Sequence, residues 1–323
     1  EAAESHSDTY HGIGKKSCIK EQCFGCALKD TLLKEIEKDD SIVVITAGMK
    51  DGTGLKEVEE KYKGNFYDVG IAEEYAVTFA SGLAAGGLKP VICIYSTFLQ
   101  RAYDQVVHDV CLQNLPIIFC IDRAGLVGED GKTHQGVFDL SYLTHIPNLT
   151  VLSVNNPSEF AGALKYALSC KTPVAMRYPK SCGVLEPNVL QAISAPYNSG
   201  EATIIGGNGK GKAAILALGA RMIELGIEIE SKAKIKIDVY AVRRIKPLDY
   251  STLDKLKGKK IITLEENSKI GGFGSMVSSY FAEDKNTLVY SFGIPDCFIK
   301  HGTINEQMND CGFSAEDILR SIE

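Results

Sequence analysis

Apolar residues along this chain fall into two alternating patterns: short unbroken runs, and longer stretches in which they recur every three or four positions. The runs SIVVITAG (41–48), KPVICIYST (89–97), PIIFCID (116–122), TVLSVNN (150–156) and TPVAMRYP (172–179) predict β-strands. Between them ALKDTLLKEIEK (27–38), AEEYAVTFASGLAAGG (72–87) and LQRAYDQVVHDVCLQ (99–113) have the spacing of helices with one buried face. Asn156-Pro157 predicts a further helix start, with Asn as the cap and Pro as the first helical residue. Apolar strands alternating with helices imply a parallel sheet covered on both faces.

The stretch 180–200 holds Pro187, Pro196 and the turn-like NSG without sustained periodicity, and reads as a linker. Beyond it AAILALG (213–219), KIDVYAV (236–242), KKIITLEE (259–266) and LVYSF (288–292) predict a second set of strands. ARMIELGIEIESKAK, STLDKLKG and GFGSMVSSYFAE predict the helices between them. The expected organisation is a lead-in over 1–25, a first α/β domain over 26–182, a linker over 183–200 and a smaller α/β domain over 201–323. Each domain is expected to be a mainly parallel sheet flanked by helices.

Composition narrows the function classes. The chain is 45% hydrophobic and 24% charged, the balance of a globular protein. With 35 Lys and Arg against 41 Asp and Glu, the net charge of -6 argues against a groove that tracks nucleic-acid phosphates. A local basic pocket for a small phosphate is compatible with that balance. No apolar run approaches the roughly 18 residues that span a bilayer, so no membrane partner is expected. The opening EAAESHSDTYHGIG lacks a signal-peptide apolar region and an initiator Met, so the chain reads as starting part-way into a longer product.

Most of the ten cysteines sit in apolar runs, as Cys93 and Cys120 do, where cysteine behaves as a small hydrophobe; a reducing cytoplasmic setting is expected. Cys18, Cys23 and Cys26 have the C-x4-C-x2-C opening of a plant-type iron–sulfur site. The next cysteine, Cys93, is far along the chain, so the trio reads as reduced thiols at a helix start.

Ligands of open α/β sheets bind beyond the carboxyl ends of the strands. Three segments at such positions are polar in ways a core does not require. Asp68 to Glu73 runs from a strand end into a helix, with Glu73 in the first turn, where the helix dipole alone favours a carboxylate. Tyr95-Ser96-Thr97-Phe98 is followed by Arg101; an ordinary N-cap explains Ser96 and Thr97 but not the two aromatics and the arginine. Asp122 to Gly136 carries four glycines together with Arg123, Asp130 and His134, groups able to bind a phosphate and move protons on a backbone that can approach a ligand closely.

The runs DVGIAEEYAVTFASGLAAGGLKPVICIYSTFLQRAYDQVVHDV and DRAGLVGEDGKTHQGVFDLSYL closely resemble the 1-deoxy-D-xylulose-5-phosphate synthases, thiamine-diphosphate proteins of the transketolase superfamily. The resemblance continues through AMRYPKS, RRIKPLD, LEENSKIGGFGS and FIKHGTINEQ, covering nearly the whole chain. It implies a pyrimidine-binding domain followed by a transketolase C-terminal domain, in an enzyme that condenses pyruvate with glyceraldehyde 3-phosphate, releasing CO2. Its cofactor-activating glutamate falls on Glu73, where a carboxyl group shares a proton with the aminopyrimidine ring. Phe98 matches the aromatic that stacks on that ring, and Ile71 lies beside it. Tyr95, Arg123 and Arg177 match the phosphate pocket of the acceptor, and Arg101 belongs to the same polar cluster. Asp130 and His134 match loop residues that engage the pyruvate-derived intermediate or the acceptor, and His11 matches a linker histidine that reaches the cofactor.

Two departures qualify the resemblance. Where the family reads AEQHA this chain has Ala72-Glu73-Glu74-Tyr75-Ala76, so a titratable histidine is replaced. No Gly-Asp-Gly occurs, so the motif that holds Mg2+ and the diphosphate is expected in an N-terminal domain outside this chain. The family builds its site from two domains, so a homodimer is expected. Alternatives are a separate subunit of a split transketolase or 2-oxoacid dehydrogenase-type enzyme, and a non-catalytic homologue that binds a metabolite. Gly206 to Ala213 nearly matches a phosphate-binding loop but lacks the hydroxyl and the following helix, and reads as a glycine-rich turn. Gly271-Gly272-Phe273-Gly274, before a helix, could bind an anion or simply turn.

Overall fold

The computed structural model describes residues 23–180, Val189, Tyr197 and residues 201–322; His11 and Cys18 lie outside these. The strands are β1 (Ile42–Thr46), β2 (Phe66–Asp68), β3 (Lys89–Tyr95), β4 (Ile118–Asp122), β5 (Thr150–Ser153), β6 (Val174–Arg177), β7 (Thr203–Gly206), β8 (Ala213–Ala217), β9 (Ile237–Ala241), β10 (Arg244–Lys246), β11 (Lys260–Ser268) and β12 (Leu288–Ile294). They form a seven-stranded sheet in the order β10-β5-β6-β4-β3-β1-β2 and a five-stranded sheet in the order β12-β11-β8-β9-β7. Each sheet is parallel except at one edge, where β10 runs against β5 and β7 against β9. The unbroken apolar runs predict this well: β1, β4 and β6 are buried at every position because helices cover both faces.

One strand crosses between the two halves of the chain. β10, from the second half, adds to the free edge of the first sheet, pairing Arg244 with Leu152 and Lys246 with Val151. Lys246 Nζ also donates to the Ile146 carbonyl. One apolar cluster runs from Ile45, Ile92 and Phe119 in the first sheet to Leu216 in the second, with Val242 and Phe273 beside it.

The predicted helix over 99–113 is in fact four short pieces: an α-turn at Ser96–Leu99, a 3-10 turn at Gln100–Ala102, an α-turn at Tyr103–Gln105 and a π-turn at Val106–Cys111. A 3-10 turn stacks residues three apart, which keeps Leu99 and Ala102 buried while Arg101 between them faces outward. Asn156 does cap as expected, accepting from Ser158 N at 2.8 Å with Pro157 next, but the first turn is 3-10 and the α-helix spans Phe160–Ser169.

Buried polar side chains link the two halves, each charged pair lying within one half and reaching the other through a backbone carbonyl. Arg177, at the end of β6, donates from Nε and Nη2 to Asp139 at 2.9 and 3.2 Å, and from Nη2 to the Glu266 carbonyl at 3.3 Å. Arg221 grips the Glu266 carboxylate at 2.6 Å, and Asn155 donates to the Val242 carbonyl at 3.1 Å. Breaking a buried pair leaves one charge without compensation in a dry interior, at about 3–5 kcal/mol. Asp139→Leu is therefore expected to lower the unfolding free energy in urea by about that amount, and the double change with Arg177→Met by clearly less than the sum of the two single changes.

Candidate active site

The parallel strands of the first sheet all present their carboxyl ends on one side, and the polar segments singled out in the sequence gather there. At the end of β2, Asp68 Oδ1 accepts from Gly48 N at 2.7 Å and from Gly70 N at 3.0 Å, tying the turns after β1 and β2 to each other. Both glycines have positive φ, 73° and 71°, where a side chain would be strained. This turn delivers Glu73 as the first residue of the helix Glu73–Ala85, whose N-cap Ala72 offers no side-chain cap. A carboxylate in an uncapped first turn is stabilised by the helix dipole. Yet Glu73 is only 2% exposed and its Oε1 accepts from Arg101 Nη1 at 2.5 Å, so the dipole does not account for it alone. Ile71, at the mouth of the same turn, is 84% exposed.

Arg101 joins Glu73 to an aromatic group. Its guanidinium lies 5.0 Å from the centre of the Phe98 ring. Phe98 stacks on Tyr95 at 5.8 Å and meets His134 edge-on at 5.3 Å, bringing the loop histidine to the same face. The cluster continues to Arg123, which stacks over Tyr95 with its guanidinium carbon 3.7 Å from the ring centre. Arg123 Nη1 donates to Asp122 Oδ2 at 3.0 Å and to the Gly52 carbonyl at 3.1 Å, and Nε lies 3.6 Å from Asp130 Oδ2. Its backbone is left-handed, with φ of 60°, a conformation that costs a non-glycine residue on the order of 1 kcal/mol. The Asp122 carboxylate holds it there by accepting the Arg123 N–H at 2.6 Å.

Burial raises the Asp122 carboxyl to about 6 against the opposing pull of Arg123. Burial likewise lifts the Tyr95 phenol to about 12, so it stays a neutral hydrogen-bonding group. Asp130 also binds Lys180 Nζ at 2.5 Å, and His134 Nδ1 lies 2.9 Å from Thr133 Oγ1.

The glycine-rich loop is not a free span. Gly125 and Gly136 exchange backbone hydrogen bonds at 2.7 and 2.9 Å and close its neck. Leu126 is gripped by Glu266 and Arg221, and Gly128 exchanges two hydrogen bonds with the Gln307 side chain at 2.9 and 3.1 Å. The second half of the chain thus holds the loop's shoulder while residues 129–134 form its tip.

Of the residues expected at a site, the structure brings together Glu73, Phe98, Arg101, Tyr95, Arg123, Asp130 and His134, with Ile71 at the rim. Arg177 is placed elsewhere, in the buried pair with Asp139. Asp122 and Gly52 belong to the cluster but were not singled out as site residues in the sequence. Asp122 was legible as a charge ending an apolar strand. Gly52 was not: a Cβ there would fall 1.5 Å from the Tyr95 hydroxyl, a constraint visible only in three dimensions. Ser96 Oγ, Gln135 Nε2 and Arg123 Nε are buried without a hydrogen-bond partner among the described residues. Gln135 lines a cavity of about 160 Å³ with Thr97, Gln100, Lys132 and Phe298. Such unsatisfied buried groups suit a polar ligand.

The two other glycine-rich turns are filled from within. Asn208, Gly209 and Gly211 N–H groups converge on the Asp238 carboxylate at 3.1, 2.9 and 2.7 Å. Glu265 accepts from Phe273 N and Gly274 N at 2.8 and 2.7 Å, and burial raises it to about 7. Among the described residues no group of three His, Cys, Asp or Glu could hold a metal ion. No described helix is long and apolar enough to cross a membrane.

Comparison with known proteins agrees with this fold. Residues 21–183 match the transketolase pyrimidine binding domain, and residues 208–318 match the transketolase C-terminal domain. The chain is 43% identical over 99% of its length to a 1-deoxy-D-xylulose-5-phosphate synthase of Clostridium tetani, covering 53% of that protein. It is 41% identical over 100% of its length to one of Oleidesulfovibrio alaskensis, again covering 53%. The chain therefore spans about half the length of the curated relatives it matches. Among solved structures it resembles a split-gene transketolase described as an inactive beta4 tetramer, with a TM-score of 0.78 and 24% identity over 93% of this chain and 96% of that one. A transketolase from Campylobacter jejuni gives a TM-score of 0.74 at 17% identity, with this chain covering 50% of it. These last two are likenesses of fold.

The Arg123 cluster carries a testable titration. Asp122 is held above its ordinary value, so lowering the pH through about 6 protonates it and releases one of the contacts on Arg123. Sulfate, which remains a dianion over this range, is expected to bind several-fold more tightly at pH 5 than at pH 7 by calorimetry. Asp122→Asn should flatten that dependence and Arg123→Met should abolish the binding.

Proposed function

The chain belongs to the transketolase family, and from that premise we propose that it is the pyrimidine-binding and C-terminal part of an enzyme of the 1-deoxy-D-xylulose-5-phosphate synthase type. The substrates in this reading are pyruvate, which loses CO2, and glyceraldehyde 3-phosphate, which accepts the remaining two-carbon unit. The observation that carries it is the placement of a buried glutamate, Glu73, one guanidinium away from the Phe98 ring, with the Tyr95–Arg123 cluster beside them. A carboxyl group and an aromatic face are the donor set that an aminopyrimidine requires, so the residues fit the pyrimidine half of thiamine diphosphate. When bound, that cofactor supplies the carbanion-stabilising centre.

Glu73 holds or moves a proton at the pyrimidine ring nitrogen, with Arg101 fixing one carboxylate oxygen. Phe98 gives the ring a stacking surface, flanked by Tyr95 and His134. Arg123, steadied by Asp122 and the Gly52 carbonyl, meets the acceptor phosphate, where its planar donors suit two phosphate oxygens. Asp130 and His134 approach from the loop tip and are positioned to exchange protons with the reacting carbonyl groups. Arg177 enters only by exchanging Asp139, and His11 from outside the described residues. Mg2+ and the diphosphate fall to a companion diphosphate-binding domain.

A second reading makes the chain a separate subunit, favoured by its match to 96% of the split-gene transketolase chain. The two are told apart by supplying the diphosphate-binding half of the Clostridium tetani relative, either fused to Glu1 or as a separate chain. Both readings expect 1-deoxy-D-xylulose 5-phosphate from pyruvate and glyceraldehyde 3-phosphate with thiamine diphosphate and Mg2+. The separate-subunit reading alone expects it without fusion, and no product in either form would overturn both. In the active form Glu73→Gln should lower kcat by roughly 100- to 10,000-fold, the range of a positioned acid–base group. Arg123→Met should raise KM for glyceraldehyde 3-phosphate by about tenfold or more while leaving KM for pyruvate nearly unchanged.

A further inference from the structure

Away from this cluster, two cysteines share the first turn of a helix. Cys23 is the N-cap of the helix Phe24–Ile36, with extended backbone at φ −106° and ψ 125°, and Cys26 is the third residue inside it. N-cap and third-residue side chains are the pair that meets in a capping box, so this spacing aims the two sulfurs at each other. Both thiols are half-buried and neither is in a disulfide. Burial raises the Cys26 thiol, and the neighbouring Cys23 thiol raises it further. The helix has no side-chain cap and no acidic residue in its first turn.

We propose that Cys23 and Cys26 form a reversible dithiol–disulfide site, oxidised by thiol–disulfide exchange with a low-molecular-weight disulfide. The Cys23 thiolate attacks one sulfur of the oxidant, expelling the first thiolate and leaving a mixed disulfide. Cys26 then gives its proton to solvent and attacks the Cys23 sulfur, expelling the second thiolate. The chain loses two protons and two electrons, and the oxidant is reduced to two thiols.

A second close cysteine pair provides contrast. Cys93 and Cys120 are register partners on β3 and β4, but both are 0% exposed inside the covered sheet, out of reach of an oxidant. The Cys23–Cys26 turn is also well placed to be felt elsewhere. A Cβ on the intervening Gly25 would lie 3.2 Å from the Thr53 carbonyl, and one on Gly54 would lie 3.1 Å from the Gly25 carbonyl. The helix start therefore rests on the loop whose Gly52 carbonyl binds Arg123.

The test equilibrates the full chain in buffers stepped from reduced to oxidised glutathione, traps free thiols by alkylation, and digests after Lys20 and Lys29. Both cysteines then lie in peptide 21–29, and Cys18 lies in another. The expected result is an unalkylated peptide 21–29 about 2 Da lighter than its dithiol form, reverting on return to reduced glutathione. It should appear at roughly tenfold less oxidised glutathione than in urea, where the helix no longer holds the thiols together, and either Cys23→Ser or Cys26→Ser should remove it. Full alkylation of peptide 21–29 throughout would overturn the proposal. So would a glutathione adduct on Cys23 that goes no further, a cross-link to the Cys18 peptide, or equal oxidation with and without urea.

Discussion

Helices cover both faces of the first sheet, so its inner strands have nowhere to put a polar side chain except at their ends. β1, β4 and β6 are buried throughout, and β3 is buried at all but its two terminal residues. Polar groups therefore collect where strands stop: Asp68 at the end of β2, Tyr95 at the end of β3, Asp122 at the end of β4 and Arg177 at the end of β6. Because these strands run parallel, their ends share one edge. The assembly of Glu73, Phe98 and Arg123 at one place follows from that exclusion of charge from a doubly covered sheet.

The same exclusion shapes the contact between the halves of the chain. Where the second half packs over the carboxyl edge, charges that cannot reach solvent are matched: Arg177 with Asp139, and Arg221 with Glu266. Glu266 serves twice, since its carboxylate also accepts the Leu126 N–H at the shoulder of the glycine-rich loop. The second half thus has a positioning role. It fixes the shoulder through Glu266, Arg221 and Gln307, which leaves the tip carrying Asp130 and His134 as the part able to adjust to a ligand.

Much of this was legible in the sequence, and the reason is physical. A strand buried on both faces must be an unbroken apolar run, so the first-half runs read directly as strands. Helices with one buried face keep a period, which located Glu73–Ala85. What escaped was structure that depends on contacts between distant residues. β10 is three residues long and exists because β5 offers an open edge. The helix expected over 99–113 is broken into 3-10, α and π turns although Leu99, Ala102, Val106 and Val110 keep an α-helical spacing, so the apolar pattern gave no sign of the break. Gly52 matters through Tyr95 and Arg123, which are 43 and 71 positions further along the chain. The resemblance to a known family supplied the chemical roles of Glu73 and Phe98; periodicity alone gave only their neighbourhood.

Among the described residues, three places present converging donors to an anion, and what fills each distinguishes a site from a turn. In the Gly206–Gly211 turn the backbone N–H groups close on Asp238, which is 1% exposed. At the helix Phe273–Tyr280 they close on Glu265, equally buried at 1%. In both, the internal carboxylate completes the donors and no ligand can enter without expelling it. Around Arg123 the balance differs. Asp122 satisfies one edge of the guanidinium, Asp130 stands at 3.6 Å and is shared with Lys180, and Nε remains without a hydrogen bond. The backbone there is also held left-handed, a strain absent from the other two turns, where every positive φ belongs to glycine. An arginine kept in an unfavourable conformation with part of its donor capacity unspent is poised for a partner that the described residues do not supply.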